Sequence, residues 1–170
     1  MAYKRLLIQQ TTYDGSNYTN VGSVVDTLVT YRVACSEFPF MRLPESKEPA
    51  SRDWYDENGE DVYIANNGLK FKAYDLEAEF IYVGSVSQIK TDLALFINFI
   101  YGRNEGGSPR LKIYDEYTQT GRRDVYVKSV SNDLYWNSDS DADKIATFKV
   151  TFRVNDPVTD VTLTTVSSSS

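Results

Sequence analysis

The strictest pattern in this sequence is the alternation of apolar and polar side chains between positions 145 and 155. The apolar phase holds Ala146, Phe148, Val150, Phe152 and Val154. Because the side chains of a strand point alternately to its two faces, this pattern predicts a strand with one face in a core. The polar phase then faces solvent or a partner, as in many antiparallel sheets. The chain is therefore constrained to form at least one half-buried sheet.

Other stretches of the chain have a similar β-forming composition. Thirteen tyrosines, eight phenylalanines and two tryptophans among 170 residues suit packing across a pleated sheet. Near Tyr74 the apolar phase switches, which predicts a bulge or bend in the chain there. Further strands are predicted over 3–9, 24–35, 68–83, 110–115, 122–131, 134–136 and 158–166, with an exposed loop at 11–20 and a turn at 120–121.

One amphipathic helix is predicted over 85–102, with strands before and after it. Ser85 and Gln88 have the spacing of a capping box, and Gly102 stands where a left-handed residue commonly ends a helix. The apolar residues at helical spacing are Ile89, Leu93, Phe96, Ile97 and Ile100. We therefore expect a mainly β protein, a sandwich or barrel, with one flanking helix packed on the sheet.

A second apolar pair, Leu95 and Phe99, lies on another side of this helix. Burying both sides of the helix requires packing against more than one structural layer, and two interpretations remain open. Either the helix is sunk between its own sheet and a loop, or Leu95 and Phe99 help to meet another protein chain.

Residues 36–66 are unlike the rest of the chain. Prolines at positions 39, 44 and 49 exclude a helix and a central strand there. A stretch of this length without regular structure is usually functional or mobile in a compact domain. We predict one domain over 1–166 with 36–66 as a protruding loop or hairpin arm, followed by a frayed serine tail at 167–170.

The far end of this arm is acidic and aromatic. Asn58 and Gly59 form a strong hairpin signal. A two-residue turn there predicts that Glu57 faces Glu60 and Asp56 faces Asp61. Like charges directly opposed are unfavourable, and a lone two-stranded hairpin is marginal in water. The arm therefore either rests its aromatic base on protein with its acidic tip on water or a basic partner surface, or it is a solvated acidic loop.

Composition excludes several classes of function. The chain has no histidine, which removes the commonest general base and the usual zinc ligand. No nucleophile elbow, P-loop or dinucleotide-binding glycine motif occurs. Adjacent carboxylates such as Asp56 and Glu57 point to opposite faces of a strand. We therefore predict no enzymatic activity, no cofactor and no small-molecule substrate.

Charge and hydropathy argue against further classes of binding partner. The net charge of −6 disfavours nonspecific binding to DNA or anionic lipid, and no apolar run reaches the length of a membrane span. The amino end lacks a signal-peptide pattern. Cys35 lies in an apolar run and is predicted to be a buried small hydrophobe. Asp139, Asp141 and Asp143 resemble the start of a calcium loop, but the required glycine and bidentate glutamate are missing, so a solvated turn without metal is predicted.

Basic residues gather after the predicted helix, at Arg103, Arg110, Arg122, Arg123 and Lys128. Arg122 and Arg123 stand beside a glycine, where they could pair with the acidic arm of a neighbouring copy. The other interpretation is an ordinary mixed-charge surface, since exposed ion pairs contribute about 0–1 kcal/mol.

Several segments together resemble the distal tail protein and tail-tube group of tailed bacteriophages. They are the helix, the stretches 111–117 and 122–130, and the strand that ends in Asp156 and Pro157. The segment 53–64 resembles one in similar proteins from phages and prophages of the Bacteroides group. The resemblance covers about 50–160, and the length of 170 residues departs from the distal tail pattern because it lacks a second, carbohydrate-binding-like domain.

The resemblance implies a structural virion protein of a phage tail, made in the bacterial cytoplasm. It implies a homo-oligomeric ring, six-fold by resemblance, in the distal tail, baseplate or tube. Other tail proteins would be partners, and DNA would pass an acidic wall without specific binding. Alternatives of the same fold are a head–tail connector or tail-completion protein and a secretion-tube subunit.

Two further expectations concern particular residues. A carbohydrate-binding β-sandwich module is the alternative from another class, with sugar rings stacked on Trp54, Tyr55, Tyr135 and Trp136. For the ring subunit, the predicted interface comprises Trp54, Tyr55, Asp56, Glu57, Glu60, Asp61, Tyr63, Leu95, Phe99, Arg122 and Arg123.

Overall fold

A computed structural model describes residues 5–39, 44–131, 135–136 and 146–165, of which 135–136 are described by their backbone alone. Strands dominate this part of the chain, as the composition predicts. The elements in chain order are β1 (Leu6–Tyr13), β2 (Tyr18–Asp26), α1 (Thr27–Tyr31), β3 (Val33–Glu37), β4 (Ser51–Asp53), β5 (Glu60–Val62), β6 (Tyr74–Tyr82), α2 (Ile89–Ile100), β7 (Arg110–Asp115), β8 (Thr120–Val130), β9 (Tyr135–Trp136) and β10 (Ala146–Val154).

Eight of these strands form one antiparallel sheet. Its order is β2-β1-β7-β8-β10-β6-β3, and β9 pairs with the end of β10. In β10, Phe148 faces Phe80 and Phe152 faces Leu76 across the pair with β6. The apolar phase of β10 is buried throughout, which confirms the alternation. The mainly β, antiparallel fold is thus confirmed, while β4 and β5 form a separate two-stranded sheet.

The helix α2 packs on one face of the large sheet. The Phe96 ring centroid lies 5.5 Å from that of Phe80 and 6.0 Å from that of Phe148, within the range of favourable aromatic pairs. Strands near both ends of the sheet order, β1 and β3, contribute to the same apolar cluster as this helix. The sheet therefore curves around α2. We call the large sheet with α1 and α2 the body.

The start of α2 differs from the prediction. The helix begins at Ile89, and Gln88 at its N-cap makes no side-chain hydrogen bond to the helix backbone. Ser85 accepts a hydrogen bond from the Gln88 backbone N–H at 3.1 Å, within a turn before the helix. The capping box does not form because the Gln88 side chain instead accepts a hydrogen bond from the Arg32 guanidinium.

The end of α2 is confirmed. Gly102 has φ 69°, in the left-handed region that glycine adopts without strain. Its N–H donates to the Phe99 carbonyl at 3.0 Å, and the Arg103 N–H donates to the Asn98 carbonyl at 2.8 Å. This pair of bonds is a Schellman motif.

The strand predicted over 24–35 is interrupted by α1. Asp26 caps this helix, because its carboxylate accepts hydrogen bonds from the N–H groups of Leu28 at 3.0 Å and Val29 at 3.3 Å. Arg32 then ends the helix in a left-handed conformation with φ 56°. The chain therefore carries two helices among its described residues, rather than the single helix predicted. Cys35 on β3 is buried, as predicted.

The exposed loop predicted over 11–20 is largely a hairpin. Tyr13 pairs with Tyr18, and the chain reverses over 14–17. Asp14 makes this reversal, since its carboxylate accepts hydrogen bonds from the N–H groups of Ser16 and Asn17. This hairpin was predicted as a loop because the strands that flank its short polar turn contain few apolar residues.

The region after β10 also differs from the prediction. Residues 158–165 form no strand, and Asp160 and Val161 lie beside Gly121 at the start of β8. Gly121 was predicted to lie in a turn, but it lies in β8, and the turn occupies 116–119. A Cβ at Gly121 would collide with the Val161 carbonyl, so only glycine allows this close approach. The predicted acidic turn at 139–143 and the serine tail at 167–170 lie outside the described residues.

Candidate subunit interface

The segment between β3 and β6 projects from the body as an arm. β3 continues to Glu37, and Phe38 beside it is buried, so this stretch belongs to the body rather than to the arm. β6 begins at Tyr74, so the strand predicted over 68–83 starts later than expected. The phase switch near Tyr74 marks the point where the chain enters the sheet. We define the arm as residues 44–73.

The arm consists of two antiparallel chain segments joined by backbone hydrogen bonds. Near its base, the Lys47 N–H donates to the Lys70 carbonyl at 2.7 Å, and the Lys72 N–H donates to the Glu45 carbonyl at 2.8 Å. Farther out, the pairing continues as β4 and β5. These two strands pair with each other and with no other described strand.

The register of the arm differs from the predicted two-residue turn. Asp53 faces Glu60 and Arg52 faces Asp61, so the loop spans 54–59. The Arg52 guanidinium also lies 4.3 Å from the centroid of the Trp54 ring, in cation–π contact. This register opposes one pair of opposite charges, Arg52 with Asp61, and one pair of carboxylates, Asp53 with Glu60, where the predicted register opposes two pairs of carboxylates.

Apolar side chains of the arm are exposed to an unusual degree. Of the thirteen large hydrophobic side chains exposed among the described residues, seven lie on the arm, which concentrates them on less than a fifth of the chain. Tyr55 is fully exposed. A concentration of exposed apolar side chains of this kind is typical of interaction sites. The seven are Trp54, Tyr55, Val62, Tyr63, Ile64, Leu69 and Phe71.

Charge is divided along the arm. Its base holds three lysines and two glutamates, while the stretch 52–61 holds five carboxylates and one arginine. This stretch, which we call the tip, therefore contributes −4 to the net charge of −6. Its carboxylates are all exposed. They belong to Asp53, Asp56, Glu57, Glu60 and Asp61.

The two helix residues of the predicted interface have different surroundings. Leu95 is 53% exposed, whereas Phe99 is only 6% exposed. The Phe99 ring lies 5.5 Å from the Tyr31 ring. Phe99 is therefore a core residue, and its placement in the interface is corrected. The cause is α1, which the sequence did not predict and which carries Tyr31.

Arg122 and Arg123 have partners within the subunit. Arg122 lies 3.2 Å from an oxygen of Asp160 and donates to the Tyr74 hydroxyl at 3.1 Å. Arg123 donates to Asp156 at 2.7 Å. A neighbour's arm would have to displace these contacts, so the structure favours an internal role for both arginines.

Asp156 explains the aspartate–proline ending of the last strand. Burial raises the pKa of its carboxyl, but hydrogen bonds from the Arg123 guanidinium and from Thr159 and Val158 outweigh this effect. The pKa is consequently lowered to about 2. The charged carboxylate closes the turn after β10 and holds it to β8.

A second group of aromatic and basic residues lies at the 14–17 turn. The Tyr13 and Tyr18 rings stack with centroids 4.6 Å apart. Arg110 lies 5.1 Å from the Tyr13 centroid and Arg123 lies 4.9 Å from the Tyr18 centroid. Arg110 is also 3.3 Å from Asp124, so both arginines of this group are matched by carboxylates of the same subunit.

Other kinds of site find little support in the part of the chain that the structure describes. No group of three or more histidine, cysteine, aspartate or glutamate side chains there could hold a metal ion. No helix there is long and apolar enough to cross a membrane. One face of the Trp54 ring, the predicted sugar platform, is taken by Arg52.

The sequence-based interface omitted several exposed arm residues: Val62, Ile64, Leu69 and Phe71. Leu69 and Phe71 were assigned to a strand of the core because they alternate with polar residues. The phase switch near Tyr74 was the available signal that they belong to a different element.

Neither the protein-family models nor the curated proteins give a match to this sequence. The structure is similar to the crystal structure of the SPP1 Dit (gp 19.1) protein, described as a paradigm of the hub adsorption apparatus in phages that infect Gram-positive bacteria. The TM-score is 0.50 at 13% identity, covering 88% of this chain and 50% of that chain.

It is also similar to a chain in the structure of the phage p2 baseplate in its activated conformation with Sr. The TM-score is 0.55 at 13% identity, covering 90% of this chain and 44% of that chain. The chain thus spans about half the length of each. At this identity the likeness establishes the fold, which is one found in phage Dit and baseplate proteins.

Proposed function

We propose that this protein is a structural component of a bacteriophage tail, forming a ring in the baseplate or distal tail region. The observation that carries the proposal is the arm, whose apolar surface is exposed on a body with the fold of phage Dit and baseplate proteins. Exposed apolar side chains do not stabilise a monomer, whereas assembly into a ring would bury them.

The length of the arm suits contact with a neighbouring subunit. Between Glu45 and Asp53 the chain pairs at several points with the segment 60–72, and nine residues at strand rise span at most about 30 Å. A body of roughly 130 residues has a radius of gyration of about 14 Å. The arm can therefore reach past its own subunit onto the next.

The remaining features of the proposal rest on the resemblance and on charge. We infer a homo-oligomeric ring, six-fold by resemblance, in the virion, with other tail proteins above and below it. The net charge of −6, of which −4 lies on the tip, disfavours binding of DNA as it passes the ring. A host in the Bacteroides group remains a prediction from the 53–64 segment.

The role we propose is mechanical and non-catalytic. The two similar structures are those of an adsorption-hub protein and a baseplate, which favours these positions over a head–tail connector or a secretion tube. The curved sheet would supply a rigid wall, and the arm would supply the link between subunits.

Removing the arm tests this proposal. Replacing 53–62 by a short Gly-Ser linker should leave the melting temperature almost unchanged and abolish rings in sedimentation velocity and negative-stain images.

Single substitutions give a matched pair: Ile64→Ser on the arm should weaken assembly, while Val158→Ser on the body, similarly exposed, should not. Rings that persist without 53–62 would contradict the arm's role. A monomeric wild-type chain that binds on a glycan array would favour the carbohydrate-binding alternative.

A further inference from the structure

The outward face of α2 is exposed along the whole helix. Its residues recur at helical spacing, and all of them are solvent-exposed. They are Lys90, Thr91, Ala94, Leu95 and Asn98. Leu95, at 53% exposure, is the large apolar side chain of this face. We call these five residues, with Arg103 just beyond the helix, the helix face.

The cations of the helix face are unlike most of those elsewhere on the body. Among the described residues, Lys90 and Arg103 make no ion pair or side-chain hydrogen bond, and Lys112 bonds only the neutral Asn20. The other described cations of the body each lie within ion-pair distance of a carboxylate of the same subunit. These are Arg5, Arg32, Arg110, Arg122, Arg123, Lys128, Lys149 and Arg153.

The tip of the arm has the complementary character. It carries an excess of four negative charges together with the exposed rings of Trp54 and Tyr55. Its dimensions also match, since Lys90 and Asn98 are about 12 Å apart along the helix axis and a two-stranded tip is about 5 Å wide before its side chains are added. Aromatic anchors with complementary charges around them are typical of the residues that dominate binding energy.

We infer that the tip of the arm in one copy of this chain docks on the helix face of a second copy, with Lys90 and Arg103 pairing its carboxylates and Leu95 contacting its aromatic rings. This inference rests on the proposed ring and names the surface that receives the arm. Within one subunit the tip and the helix face are both exposed. Both surfaces are therefore available to a neighbouring copy.

One other surface with aromatic and basic residues fits the tip less well. At the stacked Tyr13 and Tyr18 rings, Arg110 and Arg123 are already paired by Asp124 and Asp156. An incoming carboxylate would have to displace a bound one. Within the described stretch 89–105, Glu105 is an exposed negative charge two residues past Arg103, and Asp92 is paired with Arg32.

A charge exchange tests the inference. The variant Lys90→Glu with Arg103→Glu reverses the helix face, and Asp56→Lys with Glu57→Lys reverses part of the tip. Each double variant should weaken assembly in sedimentation velocity by about tenfold or more, because like charges are then opposed. The variant that combines all four substitutions restores opposite charges between neighbours, and we expect it to assemble again.

The control is Lys128→Glu with Lys149→Glu, which changes the net charge by the same amount elsewhere on the body. These lysines pair with Asp75 and Glu77, so the control perturbs folding more than the helix-face variant does. It should nevertheless assemble like the wild type, with melting temperatures measured for every variant.

Three results would overturn the inference: assembly that survives reversal of the helix face, a combined variant that does not recover, or a control that fails as the helix-face variant does. If the helix face can be reversed without effect while replacement of 53–62 abolishes rings, the proposed function stands and the arm docks elsewhere. A wild-type chain that stays monomeric contradicts both.

Discussion

The body and the arm are both antiparallel and hydrogen-bonded, yet they bury their side chains in opposite ways. In the pair of β10 with β6, each second side chain is buried, down to 0% exposure for Val150 and Ala78. In the pair of β4 with β5, every residue is exposed. Backbone pairing is therefore common to the two regions, and it does not explain why only the body buries its side chains.

What separates the two regions is the use of apolar surface. The body covers its apolar phase with α2, whereas Tyr63 and Ile64 of the arm are 75% and 58% exposed. Burial of apolar area contributes about 25 cal/mol per Å², so we expect the body to be stable alone and the arm to gain this contribution only when a partner covers it. Substitutions in the two regions should accordingly act on different properties.

The largest effect is expected in the centre of the body. Phe96 is fully buried, and Phe96→Ala should lower the free energy of unfolding by about 3–5 kcal/mol in urea denaturation. Trp54→Ala on the arm is the contrast, since Trp54 contacts only Arg52 among the ring contacts of the described residues. Its effect should stay below about 1 kcal/mol. Similar losses at both sites would remove the distinction between the regions.

A smaller loss is expected where the body is tied together by a cap. Asp26 is 5% exposed, caps α1 and bonds Arg5 at 2.8 Å. Asp26→Ala should therefore lower the free energy of unfolding by about 2 kcal/mol, combining a lost cap with a lost charged hydrogen bond. Asp14→Ala is the control, because Asp14 closes an exposed turn with similar bonds, and its loss should be clearly smaller.

Acid should reveal the contribution of Asp156. Its folded pKa of about 2 lies below the unfolded value of 3.8, so the stability it adds is present above about pH 4 and is lost as the pH falls through 2. After allowance for solvent screening, this amounts to about 1–2 kcal/mol. Asp156→Asn should flatten that part of the pH dependence measured by denaturation.

Asp75, a second carboxyl with a lowered pKa, serves as a comparison for Asp156 in the same pH series. Hydrogen bonds from Lys128 and Arg153 lower its pKa, so it contributes a slope of the same sign in both variants. An Asp156→Asn profile that parallels the wild type between pH 2 and 4 would mean that the turn after β10 does not depend on this carboxylate.

The smallest effect on stability is expected at the tip. Tyr55 is fully exposed, so Tyr55→Ser should leave the melting temperature unchanged while it weakens assembly. Sedimentation velocity together with a thermal melt measures both properties. A change in melting temperature without a change in assembly would reverse the assignment of Tyr55.

The parts of this architecture that depend on neighbouring residues were predictable. The phase of β10 and the left-handed Gly102 follow from patterns a few residues long, and both are confirmed. The prolines and the Asn58–Gly59 pair indicated a segment outside the large sheet, and β4 and β5 do form a separate two-stranded sheet. Its register was not predictable, because a six-residue loop brings Arg52 opposite Asp61.

The missed features depend on residues distant in sequence. The Gln88 side chain bonds Arg32, 56 residues away in sequence, instead of forming the predicted capping box. Thr27–Tyr31 is rich in β-branched and aromatic residues, and it is helical because Asp26 caps it and the core holds Tyr31. Arg123 was assigned to an interface because its partner Asp156 lies 33 residues further on. Local patterns contain no information on these pairs.

Hydrogen exchange on the free subunit and on assembled rings tests the central claim most directly. In the free subunit, amides of β4 and β5 should exchange far faster than those of β10, since a two-stranded pair without apolar cover opens readily. In the ring they should become protected while β10 changes little. Strong protection of β4 and β5 in a verified monomer, equal to that of β10, would contradict the account, because the arm would then be stable without a partner.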